Sequence, residues 1–393
     1  MSPSFSKARL ARMHEAMSSH VASGAIPGLV TLLSRRGETH VDAIGTRAAG
    51  SSAPMTRDTL FRIASMTKPV TAAAVMILVE ECVLRLDEPV DHWLPELAGR
   101  RVLRSLDAAI DDTVPSPRPI TVRDLLTFRL GHGFVLAPPG RFPIQKAIEA
   151  AGLAPGPRPS SFSPDEWMKR LGSLPLVYAP GERWMYHTGS DVLGVLVARA
   201  SGKSFGAFLK ERIFEPLGMR DSGFHVPAGE LERLPGAYAG KEPFDAAGRD
   251  SRFAKPPAFE SGGGGLISTA DDYLAFCLML LGKGSHRGTR VLSRPAVELM
   301  TTNQLSDAQR AEARLFFGDH SGWGFGMAVA IRRTELWNTP GRFGWDGGYG
   351  TSGYTDPAEE LVGILLTQRM MESPEPPRVF SDFWTSTYQA LEG

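Results

Sequence analysis

The stretch FRIASMTKPVTAAAVMILVEE, residues 61–81, places a serine and a lysine three positions apart at the head of a long apolar run. Its alanine, leucine and methionine content predicts a helix. Pro69 has no N–H to donate and its ring clashes with the carbonyl group four residues earlier, so the helix should begin at or just after Ser65. Ser65 would then lie at a helix N-terminus, where unpaired N–H groups favour developing negative charge, with Lys68 on the same face.

This Ser-x-x-Lys pair has two explanations. An amine beside a hydroxyl can accept its proton, provided that burial lowers the pKa of the lysine. A serine that caps the helix, followed by a lysine that reaches solvent, explains the same residues without any chemistry. Short Ser-x-x-Lys matches arise by chance, so the catalytic interpretation depends on what the rest of the chain supplies.

The composition is that of an ordinary soluble globular protein. Of the 393 residues 42% are hydrophobic and 22% are charged, and the formal net charge is zero, which indicates neither nucleic acid nor a membrane surface as a partner. The first 24 residues lack an apolar core of signal-peptide length, so we expect a cytoplasmic protein. Cys82 and Cys277 lie far apart in apolar contexts and are interpreted as buried thiols.

Strand-like segments near both ends of the chain predict an α+β fold. Residues 29–34 and 39–45 flank a turn-forming Arg-Arg-Gly-Glu and together resemble a β-hairpin. Further strand-like segments follow near the C-terminus, at residues 323–331, 350–355 and 361–367. Residues 379–391 are predicted to form a last amphipathic helix. One sheet completed by both termini, with a helical lobe inserted between them, accounts for this order.

Two domains are therefore expected. Residues 1–85 and 262–393 would form an α/β domain and residues 86–261 a mainly helical one, with the candidate site at their interface. Two proline-rich loops of the helical domain, residues 111–120 and 151–164, are predicted to lack regular structure. Long loops are often functional, and for these two a part in the site and a mere surface connection are both left open.

A second serine lies in a catalytic-looking pattern. Gly202-Lys203-Ser204-Phe205-Gly206 matches the nucleophile-elbow signature, which requires a strand before it and a helix after it. The preceding segment is helical in length and spacing. Gly202 is therefore predicted to end that helix and Ser204 to cap the next one.

The histidines add no further signal. There is no His-Glu-x-x-His pattern and no cluster of His, Cys or acidic residues at metal-ligand spacing, so no metal site is predicted. Four histidines that could serve a Ser–His–Asp triad lie outside any recognisable signature and are assigned no chemistry: His132, His187, His225 and His320.

Two later stretches support a role for Ser65. YAPGERWMYHTGSDVLGVL, residues 178–196, places Tyr186 between a Pro-Gly turn and a helix. FGWDGGYGTSGYTDP, residues 343–357, carries Trp345-Asp346-Gly347-Gly348 before a strand, and its glycines would let a backbone N–H approach a substrate oxygen closely. Taken singly, a helix-entry aromatic residue and a hairpin turn explain these features equally well.

In combination these residues resemble a known family. Ser65-x-x-Lys68, Tyr186 about 120 residues later and Trp345-x-Gly347 before a C-terminal strand pair are ordered as in the serine β-lactamase and penicillin-binding-protein superfamily. Over roughly residues 8–390 the chain is most similar to the class C-like branch that includes the family VIII carboxylesterases, through DTLFRIASMTKPVTA, ITVRDLLTF, YAPGERWMY, IFEPLGMRDSGF, GGGGLISTADDYLAF and GWDGGYGTSGYTDP. The resemblance implies a β-lactamase-like fold, with an antiparallel sheet flanked by helices and an inserted helical domain.

The resemblance also implies a role for each motif residue. Ser65 would be the acylated nucleophile, and Lys68 and Tyr186 would share the proton transfers. A Tyr186 phenolate beside Lys68 is one division of labour, and which of the two acts as the general base is left open. The backbone N–H groups of Ser65 and Gly348 would form the oxyanion hole. Substrate contacts are expected from Thr188, Trp345, Asp346 and Gly347, and neither a metal nor an organic cofactor is implied.

Two departures from the family pattern bear on the substrate. Tyr-x-Asn is replaced by Tyr186-His187-Thr188, and Lys-Thr-Gly or His-x-Gly by Trp345-Asp346-Gly347. Tryptophan lacks the charge that holds a substrate carboxylate and offers an apolar face instead, and Asp346 would further disfavour an anion. The sequence therefore predicts an esterase that acts on small neutral esters of short acyl chains through an acyl-enzyme. A β-lactamase or D-amino-acid peptidase is the first alternative, and a catalytically silent binding protein is the second.

Overall fold

The structure, a computed structural model, describes residues 4–393. Its strands, in chain order, are β1 (Gly28–Arg35), β2 (Glu38–Gly45), β3 (Phe61–Arg62), β4 (Arg101–Leu103), β5 (Thr113–Pro115), β6 (Ala237–Ala239), β7 (Glu242–Asp245), β8 (Ile267–Ser268), β9 (Ser285–His286), β10 (Thr289–Arg290), β11 (Ser321–Trp323), β12 (Ala328–Ala330), β13 (Phe343–Gly347), β14 (Thr351–Asp356) and β15 (Leu361–Thr367). Its α-helices are α1 (Lys7–Ala22), α2 (Thr67–Glu80), α3 (Val122–Leu126), α4 (Pro143–Ala150), α5 (Pro164–Ser173), α6 (Thr188–Ser201), α7 (Phe205–Leu209), α8 (Glu215–Leu217), α9 (Ala270–Leu281), α10 (Arg294–Met300), α11 (Asp307–Glu312), α12 (Arg314–Phe317) and α13 (Arg378–Gln389).

Seven of the strands form one antiparallel sheet, in the order β11-β12-β13-β14-β15-β1-β2. The hairpin of β1 and β2 joins the C-terminal strands through β15, so that Leu32 lies opposite Val41 on one side and Ile364 on the other. All eight residues of β1 are buried, because helices cover both faces of the sheet at this strand. The predictions of an N-terminal hairpin and of one sheet completed by both termini are confirmed.

Two layers of helices enclose the sheet. Leu29 and Leu33 of β1 pack in a cluster with apolar residues of α1 and α13, the first and last helices. Val30 and Leu32 point to the other face and join the main core with residues of α2 and α9. Successive side chains of a strand point to opposite faces, so alternation along β1 decides which helix layer each residue contacts. The expected α+β architecture, an antiparallel sheet flanked by helices, is confirmed.

The segment expected to form a helical domain, residues 86–261, contributes no strand to this sheet within the described chain. It contains α3 to α8 and also two short ladders, β4 with β5 and β6 with β7. The division of the chain into residues 1–85 with 262–393 and residues 86–261 stays a prediction.

Between residues 4 and 393 no single helix has the length and apolar composition to cross a membrane. One pair of helices, Thr188–Ser201 and Phe205–Leu217, meets these criteria jointly but is bent by 78°.

Helix α2 begins where Pro69 predicts. A 3₁₀ turn over Ala64–Met66 holds Ser65 and leads directly into α2 at Thr67. Pro69 lies in the first turn of the helix, where its missing N–H has no partner to lose. The helix is apolar on all sides and is buried over most of its length against α6 and the core. Lys68 is carried into the interior with it, and none of its surface is exposed.

The first proline-rich loop, residues 111–120, was predicted to lack regular structure, and this is wrong. Thr113–Pro115 pairs antiparallel with Arg101–Leu103. Within the described residues β5 pairs on one side only, and a proline is tolerated in such an edge strand because its missing N–H can face away from the partner.

The single strand predicted over residues 323–331 is also wrong, since the chain forms β11 and β12 with a turn between them. At Gly326, where φ is 72°, a Cβ would lie 2.6 Å from the carbonyl oxygen of Lys68. Only glycine combines this backbone conformation with so close an approach. The turn is therefore shaped by its packing against α2 rather than by the local apolar pattern.

The two cysteines differ in exposure. Cys277 of α9 is buried, as expected, whereas Cys82 is exposed just after α2, where a φ of 60° takes the chain out of the helix. The interpretation of Cys82 as a buried thiol is wrong because the apolar run ends at the residues before it.

A buried ion pair holds the strand that leads into Ser65. Arg62 of β3 donates from Nε to Asp245 Oδ2 at 2.8 Å, and both side chains are almost fully buried. Ser251 and Arg252 also donate to Asp245, so the carboxylate has partners on both oxygens. Such a pair is sensitive to the loss of either partner, because the remaining charge is left without compensation in the interior.

Asp245→Asn should lower the free energy of unfolding by about 3–5 kcal/mol, because it leaves the Arg62 guanidinium buried without a counter-charge. The matched control is Asp271→Asn, which breaks the exposed pair of Arg57 and Asp271 (Nε to Oδ2, 2.7 Å) and should change the free energy by about 1 kcal/mol or less. Urea unfolding followed by circular dichroism measures both. Equal effects of the two substitutions would contradict the structural role of the buried pair.

Candidate active site

Ser65 and Lys68 face each other at the start of α2. Lys68 Nζ donates to Ser65 Oγ at 2.9 Å, as a spacing of three residues along a helix allows. Ala64, the residue before the serine, has a φ of 46°, in the left-handed region that a residue with a Cβ rarely adopts. Backbone strain of this kind persists only where the surrounding structure holds it, and it is concentrated at functional sites.

Lys68 Nζ lies within hydrogen-bond distance of three polar atoms in the core. Besides Ser65 Oγ, its Nζ contacts the carbonyl oxygen of Gly263 at 2.5 Å and Nδ1 of His187 at 3.3 Å. Burial lowers the pKa of Lys68 to about 7, although the carboxylate of Asp191 acts to raise it. A large share of the amine is therefore neutral near pH 7 and can accept a proton.

The hydroxyl of Tyr186 belongs to the same group of atoms. Its ring centroid lies 4.6 Å from Lys68 Nζ, and its oxygen accepts a hydrogen bond of 2.6 Å from Trp345 Nε1. Burial raises the pKa of Tyr186 above its ordinary value, although hydrogen bonding with Ser65 and Trp345 acts to lower it. The protonated phenol is thus the favoured form, and the phenolate considered from the resemblance is disfavoured.

A strained turn and aromatic neighbours hold Tyr186 in place. His187 has φ 85° and ψ −65°, and the N–H of Thr188 donates to the carbonyl oxygen of Tyr186 at 3.3 Å, which together define a γ-turn directly before α6. The Tyr186 ring packs against Trp184 and Trp345 with centroid distances of 5.6 and 5.7 Å. These contacts restrict the ring, so its hydroxyl keeps one position relative to Ser65.

Strand β13 closely approaches the turn that carries Ser65. A Cβ at Gly347 would lie 2.4 Å from the carbonyl oxygen of Ile63, so only glycine allows this contact, whereas the space around Gly348 is open. Among residues 4–393, neither the Ser65 N–H nor the Gly348 N–H donates a hydrogen bond. Two unpaired donors beside a reactive hydroxyl are what an oxyanion hole requires.

Trp345 and Asp346 differ from the sequence-based interpretation. Trp345 is 7% exposed and donates its N–H to Tyr186, so it positions the phenol as well as forming an apolar wall. Asp346, the next residue of β13, points to the other face of the sheet and accepts a hydrogen bond of 2.6 Å from Ser352 Oγ. Burial raises the pKa of Asp346 to about 6. Asp346 is therefore not the free negative charge that was expected beside Trp345.

A buried cation lies close to Asp346. The Arg342 guanidinium lies over the rings of both Tyr354 and Trp384, at 3.9 and 4.1 Å from their centroids, and the residue is 4% exposed. Within the described chain its Nε and Nη2 atoms have no hydrogen-bond partner. Because the charge of Arg342 lowers the pKa of Asp346, opposite charges act on each other here.

His187 and Asp191 were missed by the sequence analysis. His187 Nε2 lies 3.1 Å from Asp191 Oδ2, while Nδ1 faces Lys68. Asp191 Oδ1 accepts from Ser261 Oγ at 2.6 Å and from the Gly263 N–H at 2.9 Å. Residues four apart share a helix face, so the pairing of His187 with Asp191 could have been predicted from the sequence. Its link to Lys68 could not, because the three come together only in the fold.

These groups open into a cavity of about 1030 Å³. The second proline-rich loop lines it over residues 152–162, and the loop is tied to the turn after β13 by a hydrogen bond of 2.9 Å from Tyr349 Oη to the carbonyl oxygen of Pro157. Thr188, expected to contact substrate, is 2% exposed and lies in the cavity wall. The second loop is thus part of the site and not only a surface connection.

Neither the elbow serine nor a metal cluster contributes to this arrangement within residues 4–393. Ser204 caps α7 by accepting the Ala207 N–H at 3.2 Å, and Gly202 ends α6 with a φ of 69°, as predicted. In the same part of the chain no three His, Cys, Asp or Glu side chains are grouped so as to hold a metal ion.

Comparison with known proteins agrees with this geometry. A family model described as Beta-lactamase matches residues 13–379. An uncharacterized protein of Mycobacterium tuberculosis is 39% identical over 88% of this chain and 86% of its own, and Esterase EstB of Burkholderia gladioli is 33% identical over 89% of this chain and 88% of its own. The solved structure of EstCE1, described as a hydrolase with promiscuous acyltransferase activity, superimposes with a TM-score of 0.79 at 25% identity and covers 97% of this chain and 99% of that chain. The expected β-lactamase-like fold with its antiparallel sheet is confirmed, and the chain belongs to the β-lactamase family.

Proposed function

We propose that the protein is a serine esterase that cleaves neutral carboxylic esters through an acyl-enzyme. One observation carries this proposal: the buried Lys68 amine, with its pKa lowered to about 7, lies 2.9 Å from Ser65 Oγ. The site also has Trp345 where the related peptidases and β-lactamases would carry a cation. Similarity to EstB, which is named as an esterase, supports the same class of reaction.

In the acylation half-reaction Lys68 Nζ accepts the proton of the Ser65 hydroxyl while Oγ attacks the ester carbonyl carbon. The carbonyl oxygen becomes an oxyanion that receives hydrogen bonds from the N–H groups of Ser65 and Gly348. When the tetrahedral intermediate collapses, the C–O bond to the alcohol breaks and the Lys68 ammonium gives its proton to the leaving alkoxide. Tyr186, kept as a phenol, donates a hydrogen bond to that oxygen as its charge develops.

Deacylation repeats these steps with water. Lys68, neutral again, takes a proton from a water molecule whose oxygen attacks the acyl carbon, and Ser65 Oγ departs and regains a proton from Lys68. An alcohol in place of water would receive the acyl group in the same way and yield an ester. Acyl transfer is therefore the second candidate function, and the cavity of about 1030 Å³ favours it because there is room for a large acceptor. The description of EstCE1 names both activities.

The cavity also argues for a larger substrate than the short-chain ester expected from the sequence. Small-molecule sites usually measure about 300–1,000 Å³, and a short ester would fill only a fraction of a cavity at the top of that range. We propose an ester with a small acyl group at Ser65 and a bulky alcohol part along residues 152–162. Because Asp346 and Arg342 oppose each other in charge, the preference for a neutral ester rests on Trp345.

Wild-type kcat/KM for nitrophenyl butyrate should exceed that for a chromogenic cephalosporin by at least about tenfold. The cephalosporin carries a carboxylate that Trp345 cannot pair, and a difference of about 1.4 kcal/mol in transition-state binding already gives a factor of ten. Spectrophotometric assays measure both rates. Ser65→Ala should abolish both activities, while Ser204→Ala, the matched serine control, should change neither. Equal kcat/KM values would favour the β-lactamase alternative, and a folded protein that turns over neither compound would favour the silent binding protein.

The pH dependence of ester hydrolysis should report on Lys68. Only the neutral amine can take the Ser65 proton, and burial lowers the pKa of Lys68 from its ordinary 10.5 to about 7. Below about pH 7, kcat/KM should therefore fall about tenfold per pH unit, and above it the value should be level. Measurements from about pH 5 to 9 in buffers of constant ionic strength test this. A profile that is flat to pH 5 would mean that another group is the base, and one that still rises at pH 9 would mean that Lys68 titrates as an ordinary lysine.

A further inference from the structure

We propose that His187 and Asp191 are positioning residues that hold the Lys68 amine with its lone pair directed at Ser65. The inference rests on the proposed function, since it concerns the same proton transfer. His187 accepts one Lys68 N–H, and Asp191 fixes the orientation of both remaining acceptors of Lys68. Both residues act through the lysine and not on the reacting atoms.

The number of hydrogens on Lys68 Nζ shows why its acceptors matter. Beyond Cε the tetrahedral nitrogen has three positions, and these face Ser65 Oγ at 2.9 Å, the Gly263 carbonyl oxygen at 2.5 Å and His187 Nδ1 at 3.3 Å. A neutral amine has two N–H bonds and one lone pair. When the two N–H bonds are donated to Gly263 and His187, the lone pair is left for the Ser65 hydroxyl. Without an acceptor at His187, an N–H could turn toward Ser65 and the lone pair would point elsewhere.

Asp191 determines which nitrogen of His187 carries a proton. A carboxylate only accepts hydrogen bonds, so His187 Nε2, 3.1 Å from Asp191 Oδ2, carries the hydrogen and Nδ1 is left as the acceptor for Lys68. Burial alone would raise the pKa of Asp191, but His187 and hydrogen bonds from Ser261 and Gly263 bring it below its ordinary value. The carboxylate is therefore ionised and fixes the tautomer.

The same carboxylate positions the second acceptor. Asp191 Oδ1 accepts the Gly263 N–H at 2.9 Å, and the carbonyl group of Gly263 is the one that Lys68 contacts. A Cβ at Gly263 would lie 2.9 Å from both Asp191 Oδ1 and His187 Cε1, so the loop fits against these side chains only as glycine. One carboxylate thus organises both partners of Lys68 other than Ser65.

The backbone at His187 supports a function for its side chain. The γ-turn conformation, with φ at 85°, is strained for any residue with a Cβ, whereas glycine adopts such angles freely. A histidine held in this conformation, with one ring nitrogen facing Lys68 and the other facing Asp191, indicates that the side chain supplies something that glycine would not.

Few other charges face Lys68. The Tyr186 ring covers one side and Asp346 acts on that tyrosine from beyond it, while Gly262–Gly265 and the turn at Gly326 bring no charged side chain. Asp191 is the group whose charge raises the pKa of Lys68. Removal of that charge should therefore move the acidic limb of the pH–rate profile to lower pH.

Two amide substitutions separate the contacts of His187. His187→Asn places an amide oxygen at the position of Nδ1 and keeps the acceptor for Lys68, whereas His187→Gln places its amide at the position of Nε2 and keeps only the contact with Asp191. For a neutral nitrophenyl ester, kcat should stay within about fivefold of wild type in His187→Asn and fall about 10- to 100-fold in His187→Gln, with KM changed less than about threefold in both. His187→Gly should lose as much kcat as His187→Gln and be at least as stable to heat, because it relieves the strained turn.

Asp191→Asn tests the carboxylate. An amide no longer fixes the His187 tautomer, so the plateau kcat should fall about 10- to 100-fold, and the acidic limb should lie at lower pH than in wild type because the charge that raises the pKa of Lys68 is gone. The matched control is His20→Asn, which breaks another His–Asp contact, 2.9 Å from Nε2 to Asp382 Oδ2 between α1 and α13. The control should change neither kcat nor the limb.

Three results would overturn the proposal: equal kcat in His187→Asn and His187→Gln, an acidic limb unmoved in Asp191→Asn, or losses seen only in thermal stability. Failure of the proposed function would look different, because wild type would then hydrolyse no ester. In that event the rate at which a phosphonate labels Ser65 replaces kcat. The inference still requires the phosphonate to label Ser65 faster in wild type and His187→Asn than in His187→Gln. Equal labelling rates would contradict it.

Discussion

The amine of Lys68 is a charge-bearing group with none of its surface exposed, and the chemistry of the site depends on this burial. Loss of water destabilises the ammonium far more than the neutral amine. A pKa lowered from 10.5 to about 7 corresponds to about 5 kcal/mol of preference for the neutral form, at about 1.4 kcal/mol per pH unit. The same desolvation therefore leaves beside Ser65 an amine that can accept a proton, whereas burial raises the pKa of Tyr186 and keeps its phenol protonated.

Burial of this degree requires several chain segments to pack closely around Lys68. Glycines make this close packing possible because they have no Cβ. The turn between β11 and β12 reaches the lysine backbone at Gly326, and Gly263 brings a carbonyl oxygen to Nζ. Gly347 lets β13 lie against the carbonyl of Ile63, two residues before Ser65. Each contact is too close for a Cβ, so the site is assembled by backbone from distant parts of the chain and not by local sequence alone.

This origin explains which features could be predicted from the sequence. Pro69 and Ser204 act through missing or unpaired N–H groups within one helical turn, so the starts of α2 and α7 followed from local pattern. The order of the motifs along the chain was enough to predict that Ser65, Lys68, Tyr186 and Trp345 lie close together. The contact of His187 with Lys68 joins residues 119 positions apart, so sequence spacing could not predict it. The direction of the Asp346 side chain depends on the register of β13 in the sheet, which spacing could not predict either. The break within residues 323–331 likewise comes from packing against α2.

The buried amine of Lys68 also makes the stability of the protein depend on pH, with a definite sign. Because the folded pKa of Lys68 lies below its unfolded value, the unfolded chain binds more protons between about pH 7 and 10.5, and in that range stability rises with pH. The destabilisation of about 5 kcal/mol is thus complete below pH 7 and vanishes only above the ordinary pKa. Near pH 7, where the folded amine starts to lose its proton, the apolar faces of α2 and the sheet must still offset almost all of this destabilisation. This explains why the lysine lies on the most buried helix of the main core. The packing around this helix both desolvates the amine and offsets the cost of burying it.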